Sequence, residues 1–136
     1  MSKISELIRA AKEEVVEPET GKHTIAVGGS VVELVFTKLE PLSWRNMVAS
    51  FPPRDGVQRD LILGYNIDLA PSGYPITNIS VNVDGESSEL SADEWGDLFA
   101  MLESPDLNAI STLLWCMHEW EPQQKAKKAF GAAKKK

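Results

Sequence analysis

The sequence is poor in the residues that carry chemistry. It holds one cysteine, Cys116, among 136 residues. A lone cysteine excludes an internal disulfide and fits a reducing compartment. There are two histidines, His23 and His118, and no His/Cys/Asp group has metal-ligand spacing. Cys116 and His118 are two apart on a predicted helix, so they face different directions. The Gly28-Gly29-Ser30 stretch lacks the following helix and lysine of a phosphate loop. No nucleophile has a plausible base nearby in sequence. Asp93, Glu94 and Asp97 form the densest carboxylate group, but acids in a first helical turn complement the helix dipole. The expectation is a non-enzymatic protein without cofactor or metal.

Long apolar runs are missing too. No stretch of about 18 apolar residues exists, so no membrane span is expected. Met1-Ser2-Lys3 opens directly into an amphipathic segment rather than a signal-peptide core. Without export, the Asn78-Ile79-Ser80 sequon has no consequence.

What remains is an ordinary globular composition, 43% apolar and 25% charged. The length suits one domain. Charge is divided unevenly. Residues 1–122 carry 20 acidic and 8 basic residues, net −12, while residues 123–136 carry six lysines and no acid. An acidic body repels nucleic acid. A lysine tail without arginine or aromatic platforms is a weak nucleic-acid arm. The expected organisation is a compact domain over 1–122, with an N-terminal helix and linker in 1–21, and a flexible or helical lysine-rich tail over 123–136.

The most strongly specified stretch is Leu90 to Pro122. Ser91 and Glu94 form a capping box, and Leu90 and Trp95 are placed for a hydrophobic staple. Trp95, Leu98, Phe99 and Leu102 follow at helical spacing. Ser104 is placed to cap a second helix with Pro105 at its first position. Leu107, Ile110, Leu113, Leu114 and Met117 form its stripe, with Leu107 and Leu114 expected in the core. Pro122 is expected to end it at Glu121. At about 100° per residue, Trp115 points away from that stripe and Trp120 lies at its edge. Trp115 either packs under the N-terminal half or belongs to a partner surface. Exposed tryptophan is enriched at binding hot spots, so Trp115 and Trp120 are the candidate partner-binding residues.

Earlier in the chain, Ile4, Leu7, Ile8, Ala11 and Val15 fit a helix over about 3–16, stopped by Pro18. Residues 17–22 read as a linker. His23–Val27 and Val31–Leu39 flank Gly28-Gly29 as a β-hairpin. Ser43 is placed to cap a short helix bearing Trp44, Met47, Val48 and Phe51, ended by Pro52-Pro53. Residues 54–75 are the least clearly patterned: Leu61-Ile62-Leu63 is too short to arbitrate between a helical turn and a strand, and Pro71, Gly73 and Pro75 mark a loop. Ile79, Val81 and Val83 alternate as a strand closed by the Asp84-Gly85 turn, and residues 86–89 read as a polar lead into the helical pair. The fold class expected is α+β: an N-terminal helix, a small antiparallel sheet with a hairpin, and a dominant C-terminal helical pair.

Several segments together resemble a known family. They are the hairpin ending L-V-F-T-K-L-E-P; L-S-W-R-N-M-V followed by Pro52-Pro53-Arg54; Leu63-Gly64-Tyr65-Asn66; and L-S-A-D-E-W-G-D-L-F followed by L-L-W-C-M-H-E-W-E-P. Across most of residues 22–122 the chain resembles the tail assembly chaperones of long-tailed bacteriophages, in particular phages of actinobacteria. Some members of that wider group are purely helical, so the hairpin departs from them.

The resemblance implies a protein that binds the tape measure protein and helps tail tube protein assemble around it. It implies the host bacterial cytoplasm as location and absence from the finished virion. It also implies a longer form made by programmed ribosomal frameshifting, to which the Lys134-Lys135-Lys136 end would correspond. That longer form and a second copy of the chain are further partner candidates, whereas membrane and specific nucleic acid are not expected. The alternative is a structural virion component, such as a tail or head-completion protein.

Overall fold

The computed structural model describes residues 2–14 and 16–134. Its elements are α1 (Lys3–Glu13), β1 (Thr20–Val27), β2 (Ser30–Thr37), α2 (Pro41–Ala49), α3 (Gln58–Leu63), β3 (Ile79–Val83), β4 (Glu86–Ser88), α4 (Ala92–Met101), α5 (Ser104–Trp115), a π-helical turn (Cys116–Trp120) and α6 (Glu121–Lys134). Short 3₁₀ turns cover Ala70–Gly73 and Ile76–Asn78. The fold is α+β, with helices on the covered side of one antiparallel sheet of order β1-β2-β3-β4.

Local chemistry explains the sheet. Gly28 and Gly29 both take positive φ, 56° and 85°, as a two-residue hairpin turn with matching twist requires. The register puts Val27 opposite Ser30 and Ile25 opposite Val32. Asp84 and Gly85 make a second such turn, at φ 49° and 87°, and the Asp84 carboxylate accepts the Val31 N–H at 2.8 Å. Inward residues alternate along the strands: Ile25, Val32, Leu34, Phe36, Ile79 and Val81 are all buried. β4 was not expected. Its three residues are polar and exposed, so only pairing with β3 marks it as a strand. β1 begins at Thr20, which shortens the expected linker to the residues before it.

The helices bury the covered face. Ser91 and Glu94 form the expected capping box, with bonds of 3.1 and 2.9 Å. Trp95 is buried, sits edge-on to Phe36, and donates its indole N–H to the Pro71 carbonyl at 3.2 Å. Gly21 lets α5 approach β1, because a Cβ there would lie 2.7 Å from Leu113 Cδ1 and from Met117 Sδ. Ile110, Leu114 and Met117 are buried, whereas Leu107 is only half-buried. Leu114→Ala is expected to cost about 2–5 kcal/mol in chemical denaturation. A loss below about 0.5 kcal/mol would show that this stripe does not hold the core.

Four boundaries differ from expectation. α2 starts at Pro41, flanked by Glu40, because proline suits a first helical position; Ser43 therefore lies inside the helix. α5 likewise starts at Ser104, flanked by Glu103 without a side-chain cap. Pro122 does not stop the C-terminal helix. The π turn replaces the usual bonding, with Glu121 N–H donating to Cys116 C=O, and Pro122 falls in the first turn of α6, where its missing N–H is tolerated. α1 ends at Glu13; Val15 lies outside the described residues. No residue of α1 is buried, so Ile4, Leu7 and Ile8 stand exposed along its stripe.

Between residues 54 and 67, where the sequence shows no clear period, one carboxylate gathers the chain. Asp60 is fully buried and accepts from Arg54 N–H (3.0 Å), Arg54 Nε (2.7 Å), Arg54 Nη2 (3.0 Å) and Ile67 N–H (3.4 Å). Arg54 also reaches Asp68 at 2.9 Å. One aspartate thereby ties both ends of α3 together.

Candidate partner-binding surface

The two tryptophans singled out in the sequence flank the π turn. Trp115 closes α5 and is half-buried. It borders a shallow depression of about 280 Å³, with Ile62, Leu63 and Ile67 opposite it and Arg59 at its rim. Trp120 ends the turn and is 45% exposed. In an unbroken α-helix residues five apart would point about 140° from each other. Five-residue hydrogen bonding instead sets them closer to one above the other. Trp115 is seated against the depression, and Trp120 projects.

The opposite flank of the π turn carries residues that periodicity did not reveal. His118 stacks flat on Trp44, with ring centroids 4.1 Å apart and planes 9° apart. Its Nε2 accepts the Leu39 N–H at 3.0 Å; a backbone amide can only donate, so the ring proton sits on Nδ1 and goes to the Leu114 carbonyl at 2.7 Å. Burial between Trp44 and Tyr74 holds the imidazole neutral, lowering its pKa to about 4. Both nitrogens are committed, and the ring acts as a peg joining β2's exit, α2 and the π turn.

Next to it, Glu119 accepts from the Trp44 indole N–H at 3.3 Å and from the Tyr65 phenol. Burial raises the Glu119 carboxyl and, more strongly, the Tyr65 phenol. These groups line a cleft of about 400 Å³ whose rim includes Lys38, Arg45 and Pro122. The cleft has aromatic walls and one half-buried carboxylate, which suits binding. A signal existed in the sequence, in that Trp44, Tyr65 and His118 all lie within the resembling segments. Their meeting across 74 residues could not be read from spacing.

Among the described residues, no three His, Cys, Asp or Glu side chains group as a metal ion would need. No described helix is long and apolar enough to cross a membrane. Compared with known proteins, the chain matches no protein-family model, no curated protein and no solved structure.

Proposed function

We propose that this chain is a non-enzymatic tail assembly chaperone of a long-tailed phage. It would bind the tape measure protein, keep it soluble, and assist tail tube assembly in the host cytoplasm without entering the finished particle. The supporting observation is apolar surface left without a partner on an acidic chain. Ile4, Leu7 and Ile8 line one face of α1, Trp120 is 45% exposed, and Trp115 and Ile62 border an apolar depression. A protein that holds an aggregation-prone helical client needs such surface, kept soluble by net charge. The resemblance in sequence supplies the identity of the client.

The test is co-purification of the tape measure protein with wild type, Trp115→Ala and Trp120→Ala, each checked for folding by circular dichroism. Trp120→Ala should stay folded and weaken binding at least tenfold, about 1.4 kcal/mol. Wild-type binding by both folded variants would place the surface elsewhere, and failure of the wild type to bind would sink the proposal. Mass spectrometry of purified particles separates the virion-component alternative, which requires the chain in stoichiometric amounts.

A further inference from the structure

The charge division acquires a geometry in the fold. No lysine or arginine occurs between Arg59 and Lys125. Within that span α4 turns Trp95, Leu98, Phe99 and Leu102 toward the core. Asp93, Asp97 and Met101, spaced four apart, share its outer face, and Met101 is 63% exposed. On α6, Lys125 turns to the body and pairs with Glu19 at 2.9 Å. Lys127 and Phe130, three apart, share the opposite side, and Phe130 is 69% exposed. One helix thus presents two carboxylates and an apolar anchor, the other a lysine and an apolar anchor.

The two faces cannot meet within one chain. Residues 104–134 run as one helical rod, roughly 45 Å long at about 1.5 Å per residue. Lys127 lies roughly 35 Å along it, and α4, attached at the far end, is roughly 15 Å long. Even lying back along the rod, α4 would end roughly 20 Å short of Lys127. We infer that two copies of this chain pair antiparallel, the lysine helix α6 of each seated on the outer face of α4 of the other. The pairing is isologous, so one complementary contact is made twice and the assembly closes at two. Opposite charge supplies the attraction, and Phe130 and Met101 supply desolvated anchors within it.

Sedimentation equilibrium of the full chain tests this directly. At about 20 mM NaCl the mass should be that of two chains. At about 500 mM, where the screening length falls from roughly 20 to roughly 4 Å, it should be that of one. Lys127→Glu/Lys128→Glu lies on the exposed α6 and leaves the core untouched; it should weaken the dimer at least tenfold at low salt. Asp93→Lys/Asp97→Lys should do the same, its folding checked by circular dichroism. Mixing the two variants gives one contact with reversed signs and one with the native signs, both attractive, so a mixed dimer should form. A monomer at low salt, a dimer unaffected by salt or by Lys127→Glu/Lys128→Glu, or growth beyond two chains would each overturn the arrangement.

Discussion

Trp44→Ala is expected to remove about 3–5 kcal/mol of stability, the cost of deleting a large buried aromatic side chain. Trp44 is 6% exposed, lies flat on His118, meets Tyr65 edge-on, and donates to Glu119. The same substitution should change how stability responds to acid. His118 has a folded pKa of about 4 against an ordinary 6.5. The unfolded chain therefore binds the proton more readily, and the stability contributed by the neutral ring is complete above pH 6.5. It is lost as pH falls through that value toward 4, by about 1–3 kcal/mol once partial exposure is discounted. Glu119, raised by burial, opposes part of this loss, since its protonation at low pH relieves a desolvated charge. With Trp44 gone, water reaches the imidazole and its pKa should move toward 6.5. Denaturant titrations between pH 4 and 7, with His118 followed by proton NMR, read both effects. A stability loss under about 1 kcal/mol, or an unmoved His118 midpoint, would contradict the packing described.

Asp60→Ala should be nearly as damaging, about 2–4 kcal/mol, although it deletes few atoms. The carboxylate satisfies two backbone N–H groups and the Arg54 guanidinium at once. Removing it orphans donors that the loop cannot turn to water without opening. Arg54 holds the Asp60 carboxyl down at about 2, against an ordinary 3.8. Its contribution is therefore complete above pH 3.8 and lost as pH falls through 2. Hydrogen exchange should show the damage as faster exchange at the Arg54 and Ile67 amides, with β2 protected unless the whole chain unfolds. Unchanged exchange at both amides would show that Asp60 does not order the segment.

These residues mark what the sequence could and could not say. The hairpin, the Asp84-Gly85 turn and the Ser91–Glu94 box were legible because their chemistry is complete within four residues. Asp60 was illegible because its partners lie on either side of α3, which lacks an inward apolar pattern: Leu61 and Ile62 are exposed. The α1 stripe was read from periodicity, but periodicity cannot tell a face that packs from one that waits. His118 shows no ligating pattern because its role is to join three separate segments. Pro122 misled because a proline ordinarily ends a helix, and the shift from four-residue to five-residue bonding that accommodates it leaves no mark in composition.

That shift works as a phase setting. One extra residue in a turn offsets everything after it by about 100° around the axis. The face that Leu114 buries therefore does not dictate the directions of Trp120, Lys127 and Phe130. Restoring four-residue bonding at full length would swing the α6 lysines by about 100°, whereas deleting one residue from 116–120 would remove the extra residue and leave both halves of the rod facing as they do. The core and the projecting helix can thus be adjusted separately, as two dials on one shaft.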